Sequence, residues 1–350
     1  MSLNNSLGTD YGFSRINGLK HTGYFLYAMT GSTEVFNFSD SSSSKIRGTE
    51  IFGLANVTGD KYLSDLHYTY MKDNNFSFGY RGLVSYKGDF EEVENLMPHD
   101  MYYRDTEVVS LRSGYSPDDT FVGFCAGENF VPHAHLDIGS FVLDMQGERF
   151  ISDLGSENYN IEGSIWNLYR NRAEGHNVPV INPGIAPDQR TDASSVIDRF
   201  VSGEDESFAV CDMTDAYSPD ALSAIRGVKL TDNKSVLVVQ DEIHCAIPSD
   251  IYWFWHTSAT VTLSADGKSA TLTKGGKSIM AVILSDSGSF NVMDARPLNT
   301  SPQNDEQNKN NGMKKLVIVL DGVTDVTSVV AFMPADYSYN HADIIKIKNW

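Results

Sequence analysis

The sequence predicts a mostly β protein, a large antiparallel β-sandwich preceded by a few helices. Three observations carry this. From about residue 80 onward, short runs of alternating or β-branched apolar residues recur between turn residues, as in TFVGFCAG, SFVLDM, SVLVVQDEI, SIMAVILS and KKLVIVLDG. These runs follow one another as strand and turn, which implies antiparallel sheets and not alternating β and α units. A chain of 350 residues with 41% hydrophobic content also buries a substantial core.

In chain order, RGTEIFGLANVTG and DKYLSDLHYTYMK read as helices, the second with Asp60 as its N-cap before apolar residues spaced by three and four. Between the N-terminus and these helices, TGSTEVFNFSDSSSS reads as a loop. Downstream, SFVLDM and RFISDLG flank Gln146-Gly147 as a hairpin, and TVTLSADGKSATLTK forms another around Asp266-Gly267. SVLVVQDEI and SDIYWFWHT read as two strands, as do KKLVIVLDG and TSVVAFMP, while TSPQNDEQNKNNG is an exposed polar loop.

The formal charge of -19 excludes a general nucleic-acid or anionic-membrane surface. No apolar run approaches the roughly 20 residues that cross a bilayer, and MSLNNSLGTD has no signal-peptide pattern. Cys125, Cys211 and Cys245 lie too far apart for a thiolate metal site or a disulfide framework.

The chemistry concentrates in VPHAHLDIGSFVLDMQGERFISDLG. In an extended strand, His133, His135 and Asp137 would project from one face, and the hairpin would return Asp153 toward His135. NLYRNRAEGHNVPVINP then supplies His176, expected on the next strand. Two imidazoles and a carboxylate on neighbouring strands suit a divalent metal, zinc being preferred for such ligands. The same residues also spell a second set, His135, Asp137 and His176, the facial triad of non-haem iron oxygenases. Spacing leaves both open.

The order AGENFVPHAHLDIGSFVLDMQGERFISDLGSENY, YRNRAEGHNVPV, RGVKLTDNKSVLVVQDEI, YWFWHT, KKLVIVL and VVAFMP resembles the C-terminal β-sandwich of the heparinase II/III-like polysaccharide lyases. LKHTGYFLYAMTGSTEVFNFSDSS resembles the closing segment of that family's helical (α/α) toroid. The resemblance implies that residues 1-78 are the end of the toroid and residues 79-350 the sandwich, the rest of the toroid being absent. It implies a structural Zn2+ held by His135, Asp153 and His176; Asn177 beside His176 and Asp137 near His135 are then placed to support those ligands. It further implies that His133 faces the substrate and that Tyr159 and Tyr169 reach it.

By the same resemblance the substrate is an acidic, uronate-containing polysaccharide or oligosaccharide of heparin/heparan or alginate type, cleaved by β-elimination. Such chemistry needs the uronate carboxylate neutralised, a base for the C5 proton and an acid for the leaving oxygen. The family draws its neutraliser and a tyrosine from the toroid. His21, Tyr24 and Tyr27 fall after that region, so this chain alone is expected to be inactive. A full-length enzyme is expected in the periplasm or secreted, with a homodimer admitted. A non-catalytic, metal-stabilised carbohydrate-binding sandwich is the other reading. Trp253, Trp255 and His256 read as buried packing, and Arg170, Arg172 and Arg226 as substrate clamps or structural ion pairs.

Overall fold

The computed structural model describes residues 6-85, 88-158, 160-286, 288-339 and 344-350. The chain divides into two compact units, Met1–Thr30 with Ser44–Pro98 and Gly31–Ser43 with His99–Trp350. By contacts the first unit runs on to residue 98, beyond residue 78, and residues 31-43 side with the second unit. Aromatic packing explains the later boundary. Phe78 and Phe90 both stack on Phe52 of the helical unit, with ring centroids 5.5 and 4.9 Å away, so the chain beyond the last long helix stays with the helices.

In the helical unit, helices Ile51–Thr58 and Lys61–Asp73 stand where the sequence put them. The Asp60 side chain accepts from the Leu63 amide at 2.9 Å, the expected N-cap. Tyr24 is tied down too, its hydroxyl donating to Asp60 at 2.6 Å.

His67 is fully buried in this unit. Its Nδ1 meets the Tyr27 hydroxyl at 2.7 Å, and its ring packs on Phe52 and Tyr70. Burial lowers its pKa to about 4, so the folded unit holds the neutral imidazole while the unfolded chain binds a proton near 6.5. Stability is therefore complete above the unfolded value and falls as the pH drops toward the folded one. The loss reaches roughly 3 kcal/mol at about 1.4 kcal/mol per pKa unit. Urea unfolding followed by circular dichroism at a series of pH values should show this slope in the wild type and a flatter one in His67→Phe.

Among the described residues, the second unit holds two large antiparallel sheets. The smaller is built from β1 (Met101–Tyr103), β2 (Val108–Arg112), β3 (Phe121–Cys125), β5 (Phe141–Met145) and β6 (Glu148–Ile151), in that spatial order. A short ribbon pairs β4 (Gly127–Glu128) with β8 (Ser194–Ser195). The larger sheet runs β13 (Thr260–Leu263), β14 (Ser269–Lys274), β15 (Lys277–Ile283), β17 (Lys314–Pro334), β12 (Val236–Thr257), β11 (Ala221–Thr231), β10 (Ser207–Asp212) and β9 (Ile197–Val201). To it are added β16 (Phe290–Asp294) on β17 and β7 (Pro179–Ile181) on β12. A core of both sheets, including Val122, Phe141, Leu143, Trp253, Trp255 and Phe332, closes the sandwich.

Two differences from the sequence reading matter. The pairs expected as separate strands are single long ones, β12 and β17, because the chain bends at bulges between His244 and Ile251 instead of turning back. Pro248, which has no amide to donate, sits within that irregular stretch. The smaller sheet is also buried on both faces, β2, β3 and β5 having no exposed position. Its second face is covered by segment 31-43. A Cβ on Gly123 of β3 would stand 2.5 Å from Cγ of Phe36, so glycine is what admits this close approach.

Candidate functional site

The hairpin β5-β6 forms as expected, with Gln146 and Gly147 both left-handed, at φ 52° and 82°. HAHLD, by contrast, is not a strand. His133 adopts φ 67°, which breaks the alternation and turns its side chain away from the other two. The His133 side chain is 74% exposed, while His135 and Asp137 are buried. The expectation that all three share one face is overturned by this single left-handed residue. His176 likewise lies on no strand, following a short 3-10 turn, Ala173–Gly175, and preceding β7.

The structure brings His135, Asp153 and His176 into one buried cluster. The His135 and His176 ring centroids lie 5.3 Å apart. Asp153 accepts the Gly155 amide on Oδ1 at 2.8 Å and pairs with His176 Nδ1 through Oδ2 at 2.7 Å. Burial raises the Asp153 pKa, but the His176 charge and hydrogen bond outweigh it, so the carboxyl stays below its ordinary range. Burial lowers His176, and Asp153 more than reverses this, so that it rises. His135 has no carboxylate of its own, and burial pushes it down to about 3.

Among the described residues, no three His, Cys, Asp and Glu side chains form a preassembled metal-binding group, and Asp153 is turned to His176 Nδ1. The donor chemistry nevertheless fits zinc. Both nitrogens of His135 and Nε2 of His176 are buried with no protein hydrogen-bond partner. An imidazole whose far nitrogen is held by a carboxylate is a common way of presenting a metal ligand.

The other residues singled out fall as follows. Asp137 accepts the Ser39 amide at 2.6 Å, and burial raises its pKa to about 6. Asn177 is a hub, its Nδ2 donating to the carbonyls of Phe141 and Ser152 and its Oδ1 accepting the His256 amide. Tyr169 does not reach an open surface, which corrects the expectation for it. It is buried at 1% exposure, with its hydroxyl 2.7 Å from His256 Nε2, and burial raises its pKa far above the usual phenol value. Tyr159 lies outside the described residues. Arg172 and Arg226 are fully buried in pairs with Asp188 and Asp241, which makes them structural and not clamps.

Sequence reasoning missed one group. Asp40 Oδ2 lies 2.9 Å from His133 Nδ1. Asp40 sits in a polar serine-rich stretch with no periodicity, which reads as any surface loop does.

The sequence profile of the heparinase II/III-like C-terminal family matches residues 103–331. The chain belongs to this family. Among solved structures, it is similar to the heparan sulfate lyase HepC from Pedobacter heparinus, with 15% identity and a TM-score of 0.68 over 90% of this chain and 46% of that one. A heparinase III structure matches with 18% identity and a TM-score of 0.63, over 91% of this chain and 48% of that one. The heparinase III BT4657 gene product matches with 14% identity and a TM-score of 0.61, over 89% and 46%. These likenesses show the fold, and the chain spans about half the length of each structure it matches. No curated protein matches. The family match separates the chain from the iron oxygenases that share the His135, Asp137 and His176 spacing.

Proposed function

We propose that this chain forms the sandwich part of a polysaccharide lyase that cleaves a uronate-containing acidic glycan of heparan type by β-elimination. The observation that carries the reading is an exposed, carboxylate-paired His133 two residues from the buried His135, Asp153 and His176 cluster, within the stretch the family match covers. Support for the heparan type comes from the solved relative whose name gives heparan sulfate as its substrate.

In the elimination, a base takes the C5 proton and the C5–H electron pair becomes the C4–C5 double bond. The C4–O bond breaks, and its electrons leave with an oxygen that takes up a proton. His133 is the group of this chain for one of these proton transfers, its exposed imidazole being held at Nδ1 while Nε2 exchanges the proton. Zn2+ would be held by His135 and His176, with Asp153 fixing the His176 ring. When bound, the ion supplies a cross-link between segments distant in sequence. The net charge of -19 opposes a polyanion, but salt screens that field beyond about 10 Å, so local groups decide binding. An enzyme with this substrate works outside the cytoplasm, in the periplasm or secreted.

The test is a panel of uronate glycans given to the longest polypeptide the gene encodes, following the ultraviolet absorbance of the unsaturated product. Heparan-type glycans should yield it, and His133→Ala should lower the rate roughly 10²- to 10⁴-fold, the usual contribution of a general acid or base. Product from alginate alone would replace the substrate class. Binding without product from any glycan would favour a non-catalytic carbohydrate-binding sandwich.

A further inference from the structure

We propose that Asp40 is a positioning residue for His133, and that segment 31-43 is a strap built into the sandwich to hold that histidine in the tautomer protonated on Nδ1. The catalytic consequence rests on the lyase reading above, while the tautomer rests on geometry alone. Asp40 grips residue 133 twice. Its amide donates to the His133 carbonyl at 3.2 Å, and its carboxylate oxygen faces His133 Nδ1 at 2.9 Å. The two side chains differ in setting, His133 being 74% exposed and Asp40 only 8%. The carboxylate is the fixed member of the pair, and the imidazole is the one it orients.

The strap itself is fastened along its length to the second unit. The Ser32 amide donates to Asp144 Oδ2 at 2.9 Å, and Arg149 donates to the Glu34 carbonyl at 3.1 Å. Phe36 seats on Gly123. Asn37 donates to the Asp153 carbonyl at 3.2 Å, the Ser39 amide donates to Asp137 at 2.6 Å, and the Ser156 amide donates to the Ser41 carbonyl at 3.1 Å. One short segment thus touches His133, Asp137 and Asp153 in succession. Through Ser32, Asn37 and Ser39 it donates to the Asp144 carboxylate on β5, the Asp153 carbonyl and the Asp137 carboxylate.

The chemistry follows from what a carboxylate can do. An ionised aspartate only accepts hydrogen bonds, so the nitrogen facing it must carry the proton. A neutral imidazole with its proton on Nδ1 has its lone pair on Nε2, which makes Nε2 the basic nitrogen. The left-handed backbone at His133 costs of order 1 kcal/mol and persists where neighbouring contacts over-determine it; the twofold grip of Asp40 supplies such contacts.

The experiment is long-range proton–nitrogen correlation NMR on the 15N-histidine-labelled 350-residue chain, at a pH where the imidazole is neutral. The His133 signals are assigned by their loss in His133→Gln. The wild type should show His133 protonated on Nδ1. Asp40→Ala should move its pattern toward the Nε2-protonated or averaged form and leave the other histidines unchanged. Asp40→Asn, which keeps the shape of the side chain, should give an intermediate pattern. A wild-type His133 protonated on Nε2 overturns the proposal even if every variant fails to fold. An unchanged tautomer in a folded Asp40→Ala also overturns it, since a purely structural Asp40 would shift Tm and leave the tautomer alone. In the lyase assay, Asp40→Asn should lower kcat roughly 10- to 100-fold with KM within about twofold, as expected when a base is misoriented but substrate binding is kept. Absence of elimination by the wild type would overturn the lyase reading and leave the tautomer result standing.

Discussion

Arg226→Ala is expected to destabilise the sandwich by about 3 to 5 kcal/mol, the cost of breaking a buried ion pair from one side. The guanidinium lies fully buried between the sheets and uses both arms of its fork on Asp241, at 2.8 Å each. Its remaining nitrogen donates to the carbonyls of Gly139 and Asn177, at 2.7 and 2.6 Å. Asp241 in turn accepts the Trp253 indole at 3.0 Å. Removing the arginine leaves a carboxylate in the core with a single indole donor and orphans two carbonyls. Arg226→Lys should recover little, since one ammonium cannot match the bidentate geometry and reach both carbonyls. Arg226→Met combined with Asp241→Leu should cost less than the sum of the two singles, because neither charge is then stranded. Urea unfolding of these five variants decides it. A cost for Arg226→Ala below about 1 kcal/mol, the level of an exposed pair, would make the network dispensable. The effect should reach the site as well, because the Asn177 carbonyl held by Arg226 is next in the chain to His176 and the Gly139 carbonyl closes the loop that carries His135 and Asp137.

That buried arginine marks where the sequence stops being legible. Strand and turn chemistry are local, so the Gln146-Gly147 hairpin, the Asp60 cap and the β-sandwich could be read directly from residue types. The approach of His135, Asp153 and His176 was readable in outline because the motif order resembles a known family, although the pairing of Asp153 with His176 Nδ1 is set by packing and not by spacing. Three things were hidden. The left-handed backbone at His133 carries no signal in a non-glycine residue, and it separates His133 from the face it was assigned to. The burial of Tyr169 depends on His256, far along the chain on β12. The strap is the largest omission, because Asn37, Ser39 and Asp40 meet partners roughly a hundred positions away, a relation with no local periodicity. For Arg172 and Arg226 residue type left substrate clamp and structural ion pair equally open, and their buried partners Asp188 and Asp241 decide for the second.

His135 offers a prediction whose sign, and not only its size, discriminates between readings. In the folded chain it is 1% exposed, neither ring nitrogen has a protein hydrogen-bond partner, and burial holds its pKa near 3. A buried polar ring with no partner costs stability, so if it holds nothing, His135→Leu should be neutral or stabilising. If it grips zinc with His176, the same substitution removes binding energy that is also folding energy. With free metal about a thousandfold above its dissociation constant the contribution is about 4 kcal/mol, or roughly 10 °C in Tm at about 2 to 4 °C per kcal/mol for a domain of this size. His133→Ala, on an exposed ring outside the cluster, should stay within about 1 kcal/mol of wild type. A chelator should lower the wild-type Tm toward that of His135→Leu and leave the variant unmoved, and elemental analysis after chelator-free purification should find about one zinc per chain in the wild type only. A stabilised His135→Leu together with a chelator-insensitive wild type would remove the metal from this site, and Asp153 would then serve only to fix the His176 ring through Nδ1.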